Sequence, residues 1–199
     1  MNKGFTLLEL LIVIAILAVL ATVVVLILDP AETIRKARDV QRISDLSTLK
    51  TAIILFIGEK GGGTAIAGPG AANECRSAGT ACGGGGPCAC VSTILSVATG
   101  YNPIVEGHRP QELKYGWLPI DFTLMGGGAP ISSLPIDPVN TVDYYYRYNT
   151  DGVDFIFDCV LESKYYTVSV ELQKTDGGQC DTSYEVGTDL TMFKNYCRL

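Results

Sequence analysis

The sequence predicts an α+β protein in which one long N-terminal helix packs on a small antiparallel β-sheet. Three observations support this class. An uncharged apolar run extends from Leu10 to Leu28, an amphipathic helical pattern follows as far as Lys60, and segments rich in aromatic and β-branched residues begin at Tyr144. The chain has 199 residues, of which 47% are hydrophobic and only 18% charged. Its length therefore fits one globular domain preceded by an unusually apolar segment.

Residues 5–28 form the first predicted element, a helix that crosses a membrane. At a rise of about 1.5 Å per residue this helix is about 36 Å long, whereas the hydrocarbon layer is about 30 Å thick. Residues 1–4 precede it as a polar leader with one positive charge, so we expect the N-terminus in the cytoplasm and the rest of the chain outside. Glu9 interrupts the apolar run, and a carboxylate there is costly unless it is neutralised or paired. We therefore treat Glu9 as a functional residue.

Two other interpretations of this segment stay open. A secretory signal peptide cleaved after Val19-Leu20-Ala21 would leave a secreted chain, such as a secreted enzyme, that begins near Thr22. Its apolar region would exceed the usual span of roughly 7–15 residues and would carry an acid. A plain single-span anchor would instead tether an extracytoplasmic binding domain that never polymerises. That interpretation leaves Glu9 without a role.

A second helix, the stem, is predicted over residues 29–60. Asp29 is the expected N-cap, Pro30 the first helical residue, and Glu32 the partner in a capping-box-like arrangement. Because proline disfavours a helical conformation in the residue before it, we expect a kink at Pro30. Apolar residues recur every three or four positions and are expected to face the sheet: Ile34, Ala37, Val40, Ile43, Leu46, Leu49, Ile53 and Phe56. Charged residues are expected on the other faces: Arg35, Lys36, Arg38, Asp39, Arg42 and Asp45.

The stem should end at Gly61, where a loop rich in glycine and cysteine begins. The four cysteines of this loop lack the paired, closely spaced ligands of a zinc site, so disulfides are the preferred interpretation. No lysine follows the glycine cluster 83–86, which argues against a phosphate-binding loop. Seven cysteines are an odd number, so one thiol is left over. The residues alone assign no pairing among Cys75, Cys82, Cys88, Cys90 and Cys159.

The head, residues 61–199, is predicted to be an antiparallel meander at its C-terminal end. Three segments have strand character, Tyr144–Tyr148, Phe155–Leu161 and Tyr165–Leu172. Residues 149–152 and 175–178 supply aspartate and glycine at turn positions, and residues 162–164 would join the last two strands. Residues 91–99 fit either a short helix or a strand.

Composition and charge disfavour two classes of function. A single histidine, His108, excludes any site that needs two imidazoles, and no catalytic spacing stands out, so we predict that the protein is not an enzyme. The head carries eight basic and fifteen acidic residues, a net charge of −7. Direct binding of nucleic acid through its phosphates is therefore not expected.

A specific motif stands at the start of the chain: Lys3-Gly4-Phe5-Thr6-Leu7-Leu8-Glu9, followed by the unbroken apolar helix. It resembles the N-terminus of the type IV pilin and type II secretion pseudopilin family. The resemblance implies that a membrane prepilin peptidase cuts between Gly4 and Phe5 and methylates the new amine of Phe5. It also implies that Glu9 pairs with the N-terminal amine of a neighbouring subunit during assembly. A nearby cation would remove the cost of burying this carboxylate.

The resemblance implies a pilin-like α+β fold with four parts: leader 1–4, membrane and filament-core helix 5–28, stem 29–60 and extracytoplasmic head 61–199. The expected partners are other pilin-like subunits, the prepilin peptidase, the membrane and a pilus or secretion assembly platform. The subunit would be stored in the cytoplasmic membrane of a prokaryote and moved into a cell-surface filament. Whether that filament is a pilus or a secretion pseudopilus stays open.

Two finer expectations also come from the resemblance. Proteins of this family often bridge late cysteines, which points to a disulfide between Cys180 and Cys197. The segment Asp137-Pro138 to Asn140, followed by three tyrosines, is similar to one in major pseudopilins, and some of those bind calcium in a C-terminal loop. Five residues offer hard oxygen ligands for calcium: Asp137, Asn140, Asp143, Asp151 and Asp154. Aspartate and asparagine are also common in turns, and no full twelve-residue calcium loop is present, so we predict no cofactor and keep calcium as the alternative.

Overall fold

Two consecutive helices form the N-terminal part of the protein. The structure is a computed structural model, and it describes residues 5–61, 66, 89–91, 111–114, 116–118, 120–141, 143–192 and 197. Helix α1 extends over Leu7–Leu28 and helix α2 over Pro30–Lys60. Gly61 follows α2 with a φ of 82° and donates its N–H to the carbonyl of Ile57, so glycine ends the helix at the expected position.

Asp29 separates the two helices, as the Asp-Pro pair predicts. Its backbone has a φ of 36° and a ψ of 77°, which is a left-handed conformation. Its side chain accepts a hydrogen bond from the N–H of Glu32 at 3.3 Å, and Pro30 is the first residue of α2. The backbone therefore leaves the helical conformation for one residue, and the carboxylate of that residue caps the helix that follows.

The head contains an antiparallel sheet of four strands in the order β1-β2-β3-β4. The strands are β1 Ala89–Val91, β2 Arg147–Thr150, β3 Phe155–Cys159 and β4 Tyr184–Gly187. Each strand pairs with the next one along the chain, and Tyr148 lies opposite Phe157. The protein is thus an α+β protein with the predicted pilin-like arrangement of a long N-terminal helix and a small antiparallel sheet.

The predicted strand Tyr165–Leu172 is wrong. Residues Tyr165–Ser169 form a π-helical turn, in which the N–H of Val170 donates to the carbonyl of Tyr165 at 2.9 Å, and a short helix α3, Leu172–Thr175, follows. Strand β4 pairs with β3 in the place expected for this segment. The valines at 168 and 170 are both exposed, so the alternating pattern does not mark a face that packs on the core.

Helix α2 packs on the inner face of the sheet through its C-terminal half. Leu46, Leu49, Ile53 and Phe56 are buried there among aromatic side chains of the head. The ring centroids of Tyr148 and Phe157 are 5.0 Å apart, those of Trp117 and Phe157 6.1 Å, and those of Phe56 and Phe122 5.6 Å. The core of the head is therefore largely aromatic, and the stem supplies its aliphatic wall.

The N-terminal half of α2 departs from the predicted stripe. Ile34 and Val40 are about half exposed, whereas Asp39 and Arg42, which were expected on the solvent side, are fully buried. Asp39 and Arg42 can be buried because they bind polar groups of the head that lie far away in the sequence. The hydrophobic pattern of the helix alone carries no information about these partners.

A disulfide joins Cys180 to Cys197, the pairing expected from the resemblance. Cys159, at the end of β3, is a buried thiol. Cys75, Cys82 and Cys88 lie outside the described residues, as do His108 and most of the loop 61–90. The predictions made for those positions stay predictions.

Candidate assembly site and the contact between stem and head

The start of α1 holds the residues singled out for processing and assembly. Thr6 is the N-cap, and its hydroxyl oxygen accepts a hydrogen bond from the N–H of Glu9 at 3.2 Å. Phe5 precedes the cap with an exposed ring, and Gly4 lies outside the described residues. Sequence reasoning missed the capping role of Thr6, although a threonine three positions before a glutamate is a readable capping signal.

Helix α1 is apolar on every side. From Leu7 to Val24 its mean hydropathy is 3.0 and none of it is buried, so by length and composition it can cross a membrane. None of its side chains belongs to the packed apolar core of the described part of the head. A helix that is hydrophobic all round needs lipid or other apolar helices around it.

Glu9 is the single charged residue of α1. Insertion measurements put the cost of an acidic side chain near the centre of a membrane helix at roughly 2.5–3.5 kcal/mol, and the cost falls when the charge is paired. Glu9 lies within the first turn of α1, four residues after Phe5.

A second cluster of charges fixes the stem to the head, and we call it the stem clamp. It is centred on Arg42, whose Nε and Nη2 donate to the two carboxylate oxygens of Asp137 at 2.7 and 3.0 Å. The Nη1 of Arg42 donates to Asp39 at 2.8 Å, and its Nη2 also lies 2.6 Å from Glu162. The ring of Tyr144 is 5.1 Å from the guanidinium carbon. One buried cation thus binds three carboxylates from three parts of the chain.

The remaining oxygens of the stem clamp are also satisfied. The carboxylate of Asp39 accepts hydrogen bonds from the N–H groups of Glu162 and Ser163 at 2.8 to 3.1 Å. Glu162 also binds the guanidinium of Arg38, with an Nε–Oε1 distance of 2.9 Å. The cost of removing an ion pair from water is offset only when hydrogen bonds satisfy the remaining donors and acceptors. The stem clamp meets this condition, whereas an isolated buried salt bridge does not.

The pKa values within the clamp follow from these contacts. Burial alone would lower the pKa of Arg42, but the hydrogen bonds and charge of Asp137, with those of Glu162 and Asp39, raise it above its ordinary value. Burial would raise the pKa of Glu162, whereas its hydrogen bonds to Arg38 and Arg42 lower it. Both groups therefore stay charged at neutral pH.

Two further hydrogen bonds join α2 to the head on either side of the clamp. The hydroxyl of Tyr146 donates to Asp45 at 2.8 Å, and burial raises the pKa of that carboxyl despite this hydrogen bond. Nearer the start of the helix, Oε1 of Glu32 accepts from the N–H of Tyr165 at 3.1 Å. The stem is therefore bound mainly by polar contacts over its first half and mainly by apolar packing over its second half.

The structure does not gather the calcium candidates into one site. Asp137 is engaged by Arg42, and its Oδ1 also accepts from the N–H groups of Val139 and Asn140. Asp151 accepts from the N–H groups of Val153 and Asp154 in the turn between β2 and β3. Both aspartates act as turn residues. Asp143 is exposed, and within the described part of the chain no group of three or more histidine, cysteine or acidic residues is placed to hold a metal ion.

Comparison with known protein families identifies the N-terminal segment. Residues 1–25 match the model of the prokaryotic N-terminal methylation motif, the signature of type IV pilins and pseudopilins. No curated protein and no solved structure matches the chain. The match covers residues 1–4 and most of α1, and it does not extend to the head.

Proposed function

We propose that this chain is the precursor of a structural filament subunit, a pilin or pseudopilin, that is cut between Gly4 and Phe5, methylated on Phe5 and assembled through α1. The methylation motif over residues 1–25 carries the proposal. Before assembly, α1 anchors the subunit in the cytoplasmic membrane with its head outside. In the filament, the α1 helices of many copies or of related subunits form the core.

The exposure of α1 supports this proposal. The helix is too apolar to stay in water, and it presents no apolar stripe that would match one face of a soluble partner. Lipid covers the apolar surface of such a helix before assembly, and a bundle of identical helices covers it afterwards. One segment can therefore act as a membrane anchor and then as a filament core.

Glu9 gives the assembly step its chemistry. Once Gly4 is removed, the amine of Phe5 lies four residues before the Glu9 carboxylate, and the same two groups are present on every copy. When one helix is displaced along another by about one turn, the amine of one copy meets the carboxylate of the next, and each charge removes the cost of burying the other. Correct axial stagger is then favoured over other alignments.

The stem clamp supports a mechanical role for the head. A filament subunit has to transmit axial load between α1 and the head without separating them. The ion pairs of Arg42 with Asp137 and Glu162 join the stem to the head, in addition to the contacts of the apolar core. The head therefore moves as one unit with α2.

Replacement of Glu9 by alanine tests the proposal in the native host. Glu9→Ala should leave membrane insertion and processing intact but strongly reduce filament formation, measured by electron microscopy of sheared surface material. Asp181→Ala, which removes an exposed carboxylate of the head, is the matched control and should assemble normally. Wild-type filament numbers from Glu9→Ala would favour the non-polymerising membrane tether instead.

A further inference from the structure

The π-helical turn of the head presents apolar side chains that the core does not cover. The exposed fractions of Tyr165, Val168 and Val170 are 42%, 69% and 40%. They lie within six residues of one another, between the stem clamp and α3. We call these three residues, together with Lys36, the lower rim.

The lower rim lies at the end of the stem that is nearest to α1. Contacts between head and stem follow in order along α2, from Gly126 on Glu59, through Tyr146 on Asp45, to Tyr165 on Glu32. Among these, Tyr165 binds closest to the start of the helix. In addition, Nζ of Lys36 lies 3.6 Å from the centre of the Tyr165 ring.

The distance from this position to the membrane follows from helix geometry. Helix α1 ends at Leu28 and α2 begins at Pro30, so Glu32 and Lys36 are about 3 and 9 Å above the start of α2 along its axis. Any tilt of α2 away from the membrane normal brings them closer to the membrane. The layer of lipid headgroups extends roughly 5–8 Å beyond the hydrocarbon on each side. With the start of α2 at the hydrocarbon boundary, the backbone of Tyr165, which binds Glu32, lies at the depth of the headgroups.

The residue types suit this depth. Tyrosine is enriched at the membrane–water boundary, where its ring is in apolar surroundings and its hydroxyl meets water. Lysine can extend its alkyl chain along an apolar surface while its ammonium group stays among headgroups, and side chains of a helix lean toward its N-terminus, here toward the membrane. Two exposed valines beside them add apolar area.

We propose that the lower rim enters the headgroup layer of the lipid bilayer while the subunit is stored in the membrane. The partner is a lipid surface, because the rim lies at the end of α2 that joins the membrane-spanning helix at Asp29. This contact would hold the head against the membrane until the subunit is extracted. The proposal rests on the membrane-anchored state put forward under Proposed function.

Tryptophan fluorescence of the full chain in liposomes tests this contact. The natural tryptophan, Trp117, is fully buried and gives a constant background. Val168→Trp places a reporter on the rim, and Val153→Trp is the matched control, since Val153 is similarly exposed at 73% but lies on the turn between β2 and β3. That turn is at the other end of the head, beyond Tyr148, whose hydroxyl binds the carbonyl of Ile66 past the end of α2.

The liposomes contain phosphatidylcholine and phosphatidylglycerol with acyl chains brominated near the headgroup. We expect the emission of Val168→Trp to be quenched relative to unbrominated liposomes, and that of Val153→Trp to be unchanged. Val170→Trp is a second rim reporter, in case the first variant fails to fold, and should be quenched as well.

Three results would overturn the proposal. Equal quenching of rim and control reporters, or none, in chains that float with the liposomes would contradict the rim contact alone. A blue shift of Val168→Trp without quenching, growing with the protein-to-lipid ratio, would show that a second copy covers the rim. Failure of the wild-type chain to float with liposomes would contradict the membrane anchor and the rim together.

Discussion

The Nε of Arg42 donates a hydrogen bond to Oδ2 of Asp137 at 2.7 Å, and both side chains are buried. Arg42 lies in the middle of the stem, and Asp137 lies 95 residues later in a turn of the head. This bond therefore determines where the helix meets the head. Because Asp137 also accepts from the N–H groups of Val139 and Asn140, the turn is fixed in a shape that fits the guanidinium.

Removal of Arg42 should destabilise the head strongly. Arg42→Ala leaves the carboxylates of Asp39 and Asp137 buried without their cation, and breaking such a pair costs about 3–5 kcal/mol. Arg35→Ala is the control, because Arg35 is exposed and its contact with Glu32 is long at 3.9 Å, so a change within about 0.5 kcal/mol is expected. Denaturant unfolding of the full chain in detergent measures both. Similar losses for the two variants would contradict a structural role for the clamp.

Glu185 should make the stability of the head depend on pH. Its carboxylate is buried, and its Oε2 accepts from the N–H groups of Gln179 and Cys180 at 2.6 and 2.9 Å. Burial, aided by the charges of Asp158 and Asp176, raises its pKa from 4.5 to about 7 in spite of those hydrogen bonds. The folded state therefore holds this proton more tightly than the unfolded state.

The sign of the effect follows from the raised pKa. The contribution of Glu185 to stability is fully present below pH 4.5 and is lost as the pH rises to about 7. Glu185→Gln has no charge to bury, so its unfolding free energy should improve relative to wild type by up to roughly 3 kcal/mol between pH 4.5 and pH 8. Parallel unfolding curves of the two chains at several pH values measure this difference. A difference that does not change with pH would contradict the raised pKa.

Two glycines should respond to alanine in opposite directions. A Cβ at Gly187, in β4, would lie 2.2 Å from the carbonyl oxygen of Phe155, so Gly187→Ala should cost about 1–3 kcal/mol by forcing β3 and β4 apart. A Cβ at Gly58, in α2, meets no atom within 4 Å, so Gly58→Ala should gain about 0.5–1 kcal/mol through the helix preference of alanine. Thermal unfolding of the full chain compares them. Stabilisation by both would show that the strands tolerate the extra methyl group.

The sequence correctly predicted those elements whose conformation is decided by residues next to one another in the chain. The cap and break at Asp29-Pro30 and the end of the stem at Gly61 depend on two or three neighbouring residues, and the structure contains both. Strand β3 was predicted from its aromatic and β-branched residues and differs only at its C-terminal end, while β2 begins later than predicted, at Arg147.

Features that depend on distant partners were not predictable in the same way. Arg42 and Asp39 were expected in solvent because nothing near them in sequence indicates Asp137 or Glu162. The segment after Tyr165 alternates like a strand, yet its first N–H binds Glu32 of the stem and the chain turns helically. Strand β4 was missed because four residues that include a glutamate and a glycine give a weak strand signal, and pairing with β3 decides its conformation.

The intact mass and N-terminal sequence of the protein from membranes of its native host test the central claim most directly. The account predicts a chain that begins at N-methylated Phe5, lacking residues 1–4 and carrying one added methyl group. The same spectrum, taken with and without reduction, counts the disulfides. A chain that still begins at Met1 would contradict the account in favour of a plain membrane tether. A chain that begins near Thr22 would contradict it in favour of a secreted protein.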